Sequence, residues 1–234
     1  MKTLQKVGGI SALICAGTYI LALGLLTTVL TPMADSSLPF DEFIAFFLPH
    51  QALIFAWHFS MYLVNGTFLA LLTLALYQRL NTGAPALALV AACFGLLWTG
   101  LVFASGFITI YGWEVIGKLS STDPVQAAML RLVVDTITTG NDHSDRLLGC
   151  LWVLLTSWAA LRTGQLSRPL NFLGLVIGIA GIVSSVAPAL NELGYAFGVG
   201  IIVWWGWLGV ILLQNSRSTS NQPLNLAIEG KGLA

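Results

Sequence analysis

The stretch ALALVAACFGLLWTGLVFASGFITIY, residues 86–111, has no charged side chain in 26 positions. A helix needs about 20 mostly apolar residues to cross a hydrocarbon core of about 30 Å. A soluble helix of that length would show a charged face to water. This run therefore predicts a helix that crosses a bilayer.

Five more segments of the same kind flank it. Residues 7–30, 53–77, 142–161, 170–190 and 195–213 complete a set of six spans, so the expected fold is an all-α integral membrane bundle in one domain, 1–214. The start MKTLQK has the charge of a signal-peptide n-region, but the apolar run after it is too long and no small-x-small site closes it. It reads as a retained anchor. Residues 215–234 (NSRSTSNQPLN and onward) are polar and predict a disordered cytoplasmic tail.

Composition agrees. Hydrophobic residues make up 56% of the 234 positions and charged residues 9%, with a mean hydropathy of +0.84. A water-facing domain carries roughly 25% charged residues. The net charge of zero gives no reason to expect nucleic acid as a partner. Cys15, Cys93 and Cys150 lie far apart in apolar runs and read as packing residues. No cofactor and no metal is implied.

The connections set an orientation. With the N-terminus in the cytoplasm, seven of the ten basic residues (Lys2, Lys6, Arg79, Arg162, Arg168, Arg217, Lys231) fall inside. That bias is the one that orients short-looped membrane proteins. Nine of the ten acids fall outside, among them Asp35, Asp41, Glu42, Glu114, Asp123, Asp135 and Glu192. Six spans with both termini cytoplasmic follow. The inner turns RLNTGAP (79–85) and RTGQLSRP (162–169) echo each other, so an internal duplication is one reading of them.

Two outer segments predict short interfacial helices. In DPVQAAMLRLVVDTITT (123–139), Asp123 can cap, Pro124 suits the first turn, and Arg131 faces Asp135 four residues on. The other is PFDEFIAFF (39–47), before Pro49 interrupts the run. Each reads either as interfacial packing or as a lid over an outward site.

Polar groups at membrane depth are site candidates by default. Counting back from Arg162 places Asp142 and His143 at the outer boundary, with Asp145 and Arg146 roughly one turn inside it. The candidate polar site is therefore His58, Asn65, Asp142, His143, Asp145 and Arg146. The competing reading is a span that starts later, with Arg146 snorkelling outward. His58, His143 and Asp145 are metal-ligating types, but no ligand spacing supports a metal site. Asn65 reads either as an interhelical hydrogen bond or as a ligand contact.

Trp57 and Trp113 fit the outer interface and Trp158 the inner one. Trp98, Trp152, Trp204 and Trp205 fall near mid-span, where they either pack the core or line an apolar pocket. Gly174 with Gly178, and Gly194 with Gly198, have small-xxx-small spacing. They could seat large residues of a neighbouring helix, a second copy or a membrane partner; lipids are the remaining expected partner.

The segments LQKVGGISALICAGTYILALGLLTTVL (4–30), WVLLTSWAALRTGQLSRPLNFLGLVIGIAGIVSSV (152–186) and IIVWWGWLGVILLQ (201–214) together resemble small bacterial multi-pass membrane proteins grouped as a six-span domain of unknown function. The resemblance implies the fold and a bacterial inner-membrane location, and brings no catalytic residues. Three function classes stand: binding or transport of a small or apolar ligand through an outward polar mouth, an accessory subunit, and a membrane-embedded enzyme. No span carries a central acid or base suited to an ion relay, and no nucleophile or acid–base pair stands out.

Overall fold

A computed structural model describes residues 2–35, 37–190 and 192–218. Every regular element among them is helical. The α-helices are α1 (Lys2–Thr28), α2 (Phe40–His58), α3 (Asn65–Leu80), α4 (Pro85–Leu119), α5 (Pro124–Thr163), α6 (Arg168–Val186) and α7 (Leu193–Ser218). Short 3-10 turns cover Thr31–Ala34 and Pro188–Leu190. A π-helical segment, Phe59–Val64, joins α2 to α3, so these three pieces make one rod from Phe40 to Leu80.

Six rods result, and five are long and apolar enough to cross a membrane: Thr3–Thr28, Phe40–Leu80, Pro85–Leu119, Arg168–Val186 and Leu193–Gln214. The remaining rod is α5, whose first half is too polar and whose uncharged run begins only after Arg146. The expected tail lies outside the described residues from 219 onward, and α7 covers the positions up to Ser218.

The rods close into a ring, α1–α3–α4–α5–α6–α7 and back to α1. Its middle is filled by Leu69, Leu72, Trp98, Trp152, Val153, Ile201, Trp204 and Trp205. The start of α1 and the end of α7 lie at one end of the bundle: Gly8 and Gly9 of α1 approach Leu212 and Leu213 of α7. Arg79 ties that end together. Its guanidinium donates to the Gln5 side chain at 3.0 Å and to the Gln165 carbonyl at 2.7 Å. Gln165 in turn donates to Thr82 at 3.1 Å, so α1 and both tight turns share one clasp. At the second turn Gly164 takes φ +65°, the left-handed cap that ends α5 without a Cβ penalty.

At the opposite end the Phe40–Leu80 rod, α4 and α5 overshoot. They have 41, 35 and 40 residues, or about 61, 52 and 60 Å at 1.5 Å per residue. The segments 39–47 and 123–139 are helical as expected, with Asp123 capping through the Gln126 N–H at 3.0 Å. They are not separate short helices, however. Each runs without a break into the rod that follows it.

Packing explains why Pro49 does not stop the first. A proline removes one N–H and favours a kink, but Phe43 and Phe47 on one side of it both lock onto Trp113 of α4, at 4.7 and 5.4 Å. Arg131 of α5 lies 3.9 Å above the Phe43 ring, donates to the Leu38 carbonyl at 3.3 Å, and reaches Asp135 at 3.4 Å. Burial raises the Asp135 carboxyl above its ordinary range, while Arg131 opposes that shift. Trp113 is thus the centre of a second, smaller core.

Candidate functional site

Between the small core and the ring's packed middle the helices part. A half-open cavity of about 440 Å3 lies at the overshooting end of the ring. α1 contributes Tyr19, Ala22, Leu23 and Leu26; the α2/π junction contributes Trp57, Met61 and Tyr62. α5 contributes Asp142 and Arg146, and α7 contributes Gly194, Tyr195, Gly198, Val199 and Ile202. Leu23, Tyr195 and Val199 on this wall are exposed side chains, so the mouth faces sideways between α1 and α7.

A deeper chamber of about 200 Å3 shares Tyr19, Met61, Tyr62, Asp142, Arg146, Gly194 and Gly198 with the first. It adds Trp98, Val102, Asp145 and Phe197. Its floor is aromatic. Trp98 stacks on Trp205 at 5.7 Å with 13° between the planes, and Tyr19 meets the edge of Trp205 at 5.2 Å. Trp152 joins Trp98 and Trp204, each at 5.6 Å.

The local chain explains how polar groups reach this depth. In the segment Phe59–Val64 the backbone takes i→i−5 bonds, as in the Asn65 N–H to the Ser60 carbonyl. Such bulges insert a residue into a turn and re-aim its neighbours, and they recur at functional sites. Here the bulge carries Met61 and Tyr62, both of which line the two chambers. On α5, Asp142 and Asp145 are three apart and share one face. The Arg146 guanidinium lies over Gly194, where a Cβ would stand 2.5 Å from Nη1. Glycine on α7 makes the notch for that side chain.

Of the six polar residues singled out in the sequence, Asp142, Asp145 and Arg146 come together in the cavity. His143 is exposed and lines neither chamber. His58 is buried beside the site, donates from Nδ1 to the Ile54 carbonyl at 2.8 Å, and stacks with Tyr62 at 5.9 Å. No three His, Cys, Asp or Glu among the described residues converge on a metal-sized point. Asn65 bridges to α1, donating to Thr18 Oγ1 at 2.8 Å and to the Cys15 carbonyl at 3.4 Å. That is the interhelical reading of the residue.

Trp98, Trp152, Trp204 and Trp205 are all at most 2% exposed and pack on one another; only Trp98 also faces the chamber. The glycines sort similarly. Gly174 is closed off by Ser157 and Trp204, and Gly178 by Leu154 and the Cys150 carbonyl. Gly198 has open space where a side chain would be. Cys15 and Cys150 are buried, whereas Cys93 is exposed on α4. Sequence reasoning passed over Tyr19 and Tyr62, whose signal is a phenol placed well inside an apolar run instead of at its edge.

Residues 7–213 match the family model described as a domain of unknown function, DUF4386, and the chain belongs to that family. No curated protein and no solved structure matches it.

Proposed function

We propose that this DUF4386 protein crosses a bacterial cytoplasmic membrane six times, with both termini in the cytoplasm, and binds an amphipathic ligand in the cavity between α1, the π segment, α5 and α7. The sixth crossing is the second half of α5. Its uncharged run, Leu147–Leu161, covers only about 22 Å at 1.5 Å per residue. The polar residues just before it line a cavity instead of lipid, which lowers the cost of burying them at that depth. An even number of crossings also agrees with the start of α1 and the end of α7 lying at one end of the bundle.

The observation that carries the binding reading is the cavity's division of labour. Asp145, Arg146, Tyr19 and Tyr62 gather at the deeper chamber with Asp142 exposed at its edge, while Leu23, Leu26 and Val199 form an apolar wall on α1 and α7. Sites for small molecules combine an apolar lining with a few convergent polar groups in this way. The mouth lies within about 14 Å of the ends of α1 and α7, at the depth of one leaflet by helix rise. Below it the tryptophan layer fills the ring, which favours binding over passage.

Gly198→Leu tests this reading, because Gly198 lines the cavity and a Cβ there meets nothing within 4 Å. Native mass spectrometry of protein extracted with its lipids should show one retained amphiphile on the wild type, absent from the variant at equal thermal stability. Equal retention by both would refute the cavity as the site. A C-terminal reporter active only outside the cytoplasm would overturn the orientation.

A further inference from the structure

We propose that the ligand's polar end is a cation, a protonated or quaternary amine held against Asp142 and Asp145 and walled by Tyr19, Tyr62 and Trp98. This deepens the binding reading above and rests on it. Three observations lead to it.

The first is charge. The chamber is lined by two acidic side chains and one guanidinium, so acids outnumber bases by one in the formal count. Like charges three residues apart on a helix repel, so the pair on α5 carries a cost that a cation between them removes. Arg146, whose guanidinium lies over Gly194, acts electrostatically on both carboxyl groups, and a single guanidinium offsets at most one of them.

The second is the state of Asp145. Its Oδ1 is fully buried and has no hydrogen-bond partner. The Trp98 indole lies beside the carboxyl group without closing a well-aligned bond to it. The ion pairs Lys118–Glu114 and Arg131–Asp135 both lie away from the chamber. A buried carboxylate is costly unless it is paired and hydrogen-bonded. Asp145 also lines the open chamber, so a cation there lies beside the carboxyl group and offsets its charge.

The third is the wall. Tyr19 and Tyr62 line the chamber beside Trp98, whose faces are taken by Trp205 and Gly149, and aromatic walls attract large, weakly hydrated cations such as quaternary ammonium groups. A small metal ion would instead require several oxygen or nitrogen ligands around one point, and no such group converges among the described residues. Apolar side chains along the exit to α1 and α7 then take the tail of the same molecule.

The test is binding of matched probes to the full chain in a neutral polyoxyethylene detergent, read by native mass spectrometry and thermal shift. The probes are decyltrimethylammonium, decyl sulfate and tetramethylammonium. Decyltrimethylammonium should bind as a single adduct at a concentration at least tenfold below that needed for either of the others. Asp145→Asn, which keeps the shape and removes the charge, should abolish that tenfold advantage, and Asp142→Asn should reduce it. Gly198→Leu should remove the adduct altogether.

Decyl sulfate binding as tightly as decyltrimethylammonium would overturn the cation while leaving an amphiphile site that Gly198→Leu still blocks. Tetramethylammonium binding as tightly as the decyl compound would overturn the tail. Undiminished cation preference in both Asp145→Asn and Asp142→Asn would overturn the assignment to this chamber. If none of the probes forms an adduct that Gly198→Leu removes, the binding reading itself falls.

Discussion

Replacing Gly149 by alanine tests the ring's packed middle. A Cβ at Gly149 would stand 2.9 Å from Cε2 and Cζ2 of Trp98 and 3.2 Å from its Cδ2. Ordinary contact begins near 3.4 Å, so the indole must retreat by about half an ångström, the difference between the two distances. It has little room, with Trp205 stacked on it and Trp152 tilted against it. Overpacking of this kind costs about 1–3 kcal/mol, and the helix gains back roughly 0.5–1 kcal/mol when glycine becomes alanine. The net loss is about 0–2.5 kcal/mol, or up to about 10 °C in Tm for a chain of this size. Gly100 is the control: it lies on α4, the helix that carries Trp98, is exposed, and has open space where an added methyl group would sit. Gly100→Ala keeps only the helical gain and should hold or raise Tm. Thermal unfolding of both variants in detergent, followed by size exclusion, gives the comparison. A Gly149→Ala protein as stable as Gly100→Ala would refute the packing argument.

Two further outcomes follow from the two ends of the bundle. Arg79→Gln loses the charged hydrogen bonds to Gln5 and Gln165; it should destabilise by about 1–3 kcal/mol, with faster amide exchange in the turns at 81–84 and 164–167. Phe43→Ala removes the ring that contacts both Trp113 and Arg131. Exchange should rise in residues 40–55 and 124–137 while the ring core around Trp205 stays protected, and equal exposure of both cores would show that the overshooting end is not a separate unit.

The membrane character of the chain was legible because uncharged length is a direct physical requirement of lipid, and residues 86–111 meet it unaided. Rod lengths were less legible. Pro49 and the polar residues Asp142 and Asp145 look like breaks when only local preference is weighed. The α2 segment persists across Pro49 because Phe43 and Phe47 find Trp113, a contact between residues more than sixty positions apart. α5 persists because its polar residues meet a cavity whose other walls come from α1 and α7. The same distance in sequence hid Tyr19 and Tyr62. Each is one phenol in an apolar run, and only the ring closure sets both beside Asp145. His143 shows the converse, since one helical step separates it from Asp142 and turns it away from the chambers. Gly174 and Trp204 were a fair inference, because a bulky ring at mid-span needs a missing side chain opposite.

The tryptophan layer has an electrical consequence. Four interlocked indoles leave no aqueous thread through the centre of the ring. With the orientation proposed above, most of the voltage across an energised membrane would drop over that layer, and the chamber would stay near the potential of the external solution. A charged guest could come and go there without doing work against the membrane potential, and the cell could keep many copies of the protein without discharging its ion gradients.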